Sequence, residues 1–361
     1  MIDFLDKFFD SLYGLTVLFA FLIALLCKGL KENSLSAIGT VLIIFLLAVL
    51  FGFRTIDTGT DTFAYSTWFS SLEGSHIFRD FEPLFTIIGQ AVNLFTTDTS
   101  VFFTFITGLT LYYISKAGMV FSSILVVPLS IVMSVSFVSG IDLLSNGIRN
   151  GLALAIASYA LLKYLDNGKG FKYLVYITMA SMIHSSCIVF FIIFVIKPLL
   201  NERYLKIIFY IYIAIFFAES LKVFDFLFTS ISNAGIGSHV ISRILAFKYQ
   251  ESDMFSGFIK YYFFAITIIP YLLFKFKYYV NKRLAIVHYV LLMPYAMIFS
   301  SPSSYRFSYM SFYLMVFILA QAVLYNNSRP KRLVVYVMII AMMIITYTTK
   351  TSMSYRNLLF I

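Results

Sequence analysis

FEPLFTIIGQAVNLF, residues 81 to 95, decides the topology of the whole chain. The run is apolar but only fifteen residues long, and Glu82, Thr86, Gln90 and Asn93 punctuate it. A helix needs about 20 predominantly apolar residues to cross the hydrocarbon core of a bilayer. The run therefore reads as an interfacial or re-entrant helix. Taking it as a span would invert every later loop and put the basic loops outside.

The rest of the chain is just as apolar. Of 361 residues, 60% are hydrophobic and 12% charged, where a soluble chain carries roughly 25% charged residues. Apolar runs fall at 12–27, 35–53, 101–115, 121–138, 147–165, 207–221, 258–274, 285–299, 307–325 and 333–349. This pattern predicts an all-α polytopic membrane protein, residues 1–361 forming a single integral membrane domain with about twelve transmembrane segments. FKYLVYITMASMIHSSCIVFFIIFVIK, Phe171 to Lys197, reads as a hairpin of two short helices with His184 at its tip. Residues 54–98 form a first outer loop carrying short interfacial helices after the second span, and residues 222–257 a second outer loop. The N-terminal MIDFLDKFFD is acidic, unlike the basic start of a cleavable signal peptide. Cys27 and Cys187 sit in apolar runs and read as small core residues. With four histidines and no Cys/His cluster, no metal centre and no soluble cofactor are expected.

Charge sets the orientation. The turns at 28–32, 116, 163–172, 197–206, 275–283 and 329–332 hold 16 basic and three acidic residues. The chain's 27 basic and 17 acidic residues leave 11 and 14 elsewhere, a split of +13 against −3. Positively charged loops stay cytoplasmic, so those turns face inward and both termini face out. The net charge of +10 follows from that rule and does not call for a nucleic-acid partner.

The informative residues are basic ones on the wrong side. FGFRTIDTGTDTFAY, Phe51 to Tyr65, presents Arg54, Asp57 and Asp61 around a Gly59 turn just beyond the second span. Arg149 lies in LLSNGIRNGLALAIA and Arg306 in SSPSSYRFSYM, both at outer ends of spans. With His184 these residues come from distant segments yet fall at one membrane face. Ionisable groups there are costly unless they serve a function, and converging guanidinium forks suit a phosphate. The plainer alternative pairs each arginine with a nearby carboxylate such as Asp57, Glu82 or Asp142. Asn146 and Asn150, flanking Arg149, are candidates for sugar hydroxyls or for capping a helix start. Tyr65, Trp68, Tyr305 and Tyr309 are candidates for stacking on sugars, or members of an ordinary interfacial aromatic belt. The spacing Asp57-x-Gly59-x-Asp61 lacks the further oxygen ligands that a cation loop needs.

Taken in order, Arg54 with TGTDTFAY, then FEPLF, NGIRNGLALAI, MIHSS and a late YR, the chain resembles the EpsG family of bacterial exopolysaccharide proteins, related to the Wzy polymerases of O-antigen and capsule synthesis. The first outer loop is also similar to that of lipid-linked-sugar glycosyltransferases of the GT-C type, where an acidic residue of this loop serves catalysis. The resemblance implies a GT-C-like fold in the bacterial inner membrane, with the active site facing the periplasm or outside. It implies that Asp61 is the catalytic carboxylate and that Arg54, Arg149, His184 and Arg306 bind the lipid pyrophosphate. The second acid, Asp57, leaves the identity of the base open, with Glu82 a further candidate for base or acceptor contact. Implied partners are undecaprenyl-pyrophosphate-linked donor and acceptor, membrane lipids and a chain-length regulator. Transfer of single sugars from a polyprenyl-monophosphate donor, and transport of the lipid-linked glycan, are the alternatives. A transporter would show a central charged path and often a repeat, whereas the mid-membrane here is nearly uncharged.

Overall fold

In lipid the backbone must satisfy its own hydrogen bonds, which leaves helices as the default for an apolar chain of this pattern. The computed structural model describes residues 12–351 apart from 31, 57, 74–80, 122–123, 125–126, 234–253, 302–303 and 327. Among the described residues all regular structure is helical. The contacts divide into two compact units, Met1–Phe191 with Val323–Ile361, and Ile192–Ala322.

The first unit holds α1 (Leu12–Leu30), α2 (Asn33–Gly52), α3 (Thr62–Ser70), α4 (Pro83–Asn93), α5 (Thr99–Phe121), α6 (Val127–Val135), α7 (Val138–Ser145), α8 (Ile148–Asn167) and α9 (Gly170–Ile183). The second holds α10 (Leu205–Ser220), α11 (Val223–Asn233), α12 (Met254–Thr267), α13 (Ile269–Lys275), α14 (Lys282–Met297) and most of α15 (Tyr305–Tyr325). The final helix, α16 (Arg329–Thr351), returns to the first unit. α4 covers the stretch that sets the topology. It starts with a proline at its first position and runs for 11 residues, about 16 Å at 1.5 Å per residue, which is too short to cross.

Among the described residues two helices, α2 and α15, are long and apolar enough to span a bilayer, and counting each of two sharply bent helix pairs as one span gives four. The expectation of about twelve segments rests on the sequence pattern, and several of the other apolar runs form shorter helical pieces. The run at 121–138 shows why. It is not one helix: α6 and α7 meet at 87°. The carbonyls exposed by the break are taken by side chains, Val135 O by the Tyr13 hydroxyl at 2.7 Å and Ser136 O by the Thr346 hydroxyl at 2.9 Å. Non-helical backbone at membrane depth persists only where protein satisfies it in this way. Likewise the loop expected from residue 222 begins with a helix, α11, set at 77° to the preceding one. The remainder of that loop, 234–253, lies outside the described residues.

α8 is the centre of the first unit. It packs on α5, α7 and α9, and Ala153, Ala155, Ala157 and Ala160 are all buried. Small residues let membrane helices approach closely. At Gly151 the approach is closest, since a Cβ there would lie 2.1 Å from the Leu143 carbonyl oxygen of α7. The outward side of α2 shows the opposite character: Ile38, Val41 and Phe45 are 64%, 68% and 63% exposed. An exposed apolar stripe at helical spacing is a lipid-facing surface.

The reversal expected at His184 is present. α9 ends at Ile183, and a 3₁₀ turn follows from Ser185 to Phe190. The Tyr173 hydroxyl donates to the Phe190 carbonyl at 2.5 Å. Seventeen residues of straight helix would hold those groups about 25 Å apart, so the chain doubles back.

Candidate functional site

Four segments of the first unit meet at the start of α8. Arg149 is the second residue of that helix. Its Nη1 pairs with Oε2 of Glu82, the residue before α4, and its Nε donates to the Tyr65 hydroxyl of α3 at 3.2 Å. The guanidinium lies over the Phe81 ring at 4.2 Å. The other Glu82 oxygen accepts the Ser185 backbone N–H at 3.1 Å, which brings in the tip after α9. Burial pushes the Glu82 carboxyl up, but Arg149, the Ser185 amide and its own backbone amide outweigh this and hold it below the usual carboxylate range. Burial raises the Tyr65 hydroxyl despite Arg149 beside it, and Asp61 and Glu82 add to that rise. Tyr65 therefore stays a neutral phenol that accepts from Arg149.

At the tip, His184 Nδ1 lies 2.7 Å from the Ser186 hydroxyl and accepts the Ser186 backbone N–H at 3.3 Å. The Ser186 hydroxyl also reaches Asn150 Oδ1 at 3.0 Å, tying the tip to α8 a second time.

The Asp61 loop docks on the corner between α7 and α8. The Asp61 backbone N–H donates to Asn146 Oδ1 at 2.8 Å, and the Thr62 hydroxyl reaches the Ser145 carbonyl at 3.3 Å. Asp61 occupies the N-cap position of α3, yet its carboxylate makes no capping hydrogen bond. It is exposed and accepts from the Thr60 hydroxyl at 3.0 Å. Asn146 is not a helix-start cap either, since that position in α8 belongs to Gly147.

Arg54 is 6% exposed. Its Nη1 donates to the Phe51 carbonyl at 2.7 Å and its Nε to the Thr62 hydroxyl at 3.2 Å, and its guanidinium lies 3.9 Å from the Phe103 ring centroid. Tyr65 and Trp68 are 3% and 7% exposed. Their rings pack against Phe81 and Phe85, which leaves no open face for a sugar to stack on. Arg306, Tyr305 and Tyr309 belong to the second unit. There Arg306 is exposed, and Tyr305 stacks on Phe263 at 5.6 Å between centroids. Asp57 lies outside the described residues.

Against known proteins, the sequence model of the EpsG family matches residues 37–360. The chain belongs to the EpsG family. This is a family of Wzy-like polymerases, and the match covers every residue of the cluster above. No curated protein and no solved structure matches the chain. Within this EpsG protein the residues not anticipated from sequence are Ser185, Ser186, Phe81 and Thr62. Ser185 acts through its backbone N–H, for which a sequence carries no side-chain signal. Ser186 lies inside MIHSS, and a hydroxyl two residues after a histidine is the one cue that was available.

Proposed function

We propose that this EpsG protein joins undecaprenyl-pyrophosphate-linked oligosaccharide repeat units at the outer face of the membrane, building an O-antigen, capsule or exopolysaccharide. The observation that supports this reading is the convergence of Arg149, Glu82, His184 and the Asp61 loop from four separate segments on the start of one central helix. An acceptor hydroxyl on one lipid-linked unit attacks the anomeric carbon of another. The bond from that carbon to pyrophosphate breaks, and the leaving group departs with the electron pair. Asp61, an exposed carboxylate, takes the acceptor proton. Arg149 and the His184 ring stabilise the charge gathering on pyrophosphate. The arginine is partly exposed, 20% against 22% for Glu82, so an incoming phosphate competes with Glu82 for it. Arg54 holds the turn that presents Asp61. The apolar exterior holds the polyprenyl tails.

The test is purified protein in liposomes with lipid-linked repeat units, read as product length on a gel. A ladder supports polymerisation. Addition of one sugar only, or movement of the glycan across the bilayer without extension, replaces it with the corresponding alternative. Reporter fusions after Arg283 or Arg332 are expected to read cytoplasmic, and the opposite result would put the site on the wrong face.

A further inference from the structure

We propose that Asn146 is a positioning residue of this site, which clamps the backbone of the Asp61 loop to the corner from which Arg149 projects. The inference rests on the reading of Asp61 as the base. One side-chain oxygen does the clamping: Asn146 Oδ1 accepts the Asp61 N–H at 2.8 Å and the Thr60 hydroxyl at 3.3 Å. The loop is shaped to receive it. Gly59 has φ +74°, and a Cβ there would lie 2.7 Å from Asn146 Oδ1 and 3.0 Å from its Cγ. Only glycine accepts both the left-handed backbone and the contact. The Asn146 amide nitrogen is turned the other way, 3.5 Å from Asp142 Oδ1.

The consequence is geometric. Asn146 stands three residues before Arg149, at the break between α7 and α8. It therefore holds the carboxylate-bearing loop at a set distance from the arginine-bearing helix start. It does so without using the Asp61 carboxylate, which stays exposed. Among the described residues the charged groups around the loop are Arg54 at its start, Asp142 on α7, Arg149 on α8 and Glu82 ahead of α4. A side chain that acts through the backbone in this way changes how well the base is aimed, not whether substrate binds.

The experiment measures kcat, KM for the lipid-linked donor, and the pH–rate profile for purified wild type, Asn146→Ala, Asn146→Asp and Asp61→Asn, with thermal melting of each. Asn146→Ala is expected to lose on the order of 10²-fold in kcat, the scale of a misplacement of about 1 Å, with KM little changed. Asn146→Asp keeps an oxygen acceptor, so it recovers most of kcat at high pH. It also sets a second negative charge beside Asp61, so the acid limb of its profile moves to higher pH. Wild-type kcat in Asn146→Ala, or an unmoved profile in Asn146→Asp, overturns the inference when Asp61→Asn is inactive. A fully active Asp61→Asn overturns the underlying reading instead. If Asn146→Ala melts below the assay temperature, the Asn146→Asp profile decides alone.

Discussion

Arg54 and Arg149 both bond to α3 of the first unit, to Thr62 and to Tyr65, and look alike in the sequence. Each lies where an arginine is expensive. Their surroundings differ in kind. Arg54 is folded inward: it bonds to the Phe51 carbonyl and the Thr62 hydroxyl of its own turn and lies over the Phe103 ring of α5. Arg149 reaches across segments to Tyr65 and Glu82 and keeps part of its surface open. A guanidinium bonded within ten residues of itself builds a loop. One paired with a carboxylate from another segment, at a partly exposed place, can trade that carboxylate for a ligand.

The comparison breaks most readily at Asp61, which the Arg54 turn presents. Asp61→Asn is expected to lower polymer formation by ~10²–10⁴-fold, the usual contribution of a general base, with lipid-linked substrate still retained on the purified protein. Full activity would move the base elsewhere. Arg54→Ala probes the other side. Stripping a buried carbonyl of its donor costs about 1–3 kcal/mol, and the packing on Phe103 is lost as well. Its melting temperature and membrane yield should fall, while activity per folded protein falls far less than in Asp61→Asn. Equal loss in both measurements without a stability change would make Arg54 a ligand too.

Glu82→Gln gives the smallest effect on stability, because a partly exposed ion pair contributes about 0–1 kcal/mol. Its informative readout is affinity for inorganic pyrophosphate, which should rise as the competing charge is removed. A fall would mean that Glu82 holds Arg149 in place. The pH dependence has a definite sign. With a carboxyl lowered in the folded state, the pair is intact above the usual carboxylate range and is lost only as pH falls through the lowered value. Any break in wild-type activity near neutral pH therefore should survive in Glu82→Gln.

Much of this was legible in the sequence. The shortness of residues 81–95 gave α4, and the flanking charges with the mid-run His184 gave the reversal after α9. Arg149, Glu82 and His184 were singled out, and Glu82 was among the carboxylates offered as an arginine's partner. What the sequence could not show is contact between segments. Hydropathy counts residues in a run and does not see the 87° break at Ser136, because the carbonyls there are satisfied by Tyr13 and Thr346, more than a hundred residues away in either direction. The uses of Asn146 and the Ser185 amide were hidden for the same reason. Each depends on a backbone group, and backbone groups are common to all residues.

The most direct measurement of the central claim is the polymer ladder made from lipid-linked repeat units by Arg149→Ala and Arg149→Lys, each normalised to folded protein. Loss of one charge-stabilising donor costs ~10²–10³-fold in rate, and a lysine point charge lacks the guanidinium fork. Both variants should therefore fold normally and leave the substrate unextended. A full ladder from Arg149→Lys would reduce the clamp to a simple charge requirement, and a full ladder from Arg149→Ala would contradict the site.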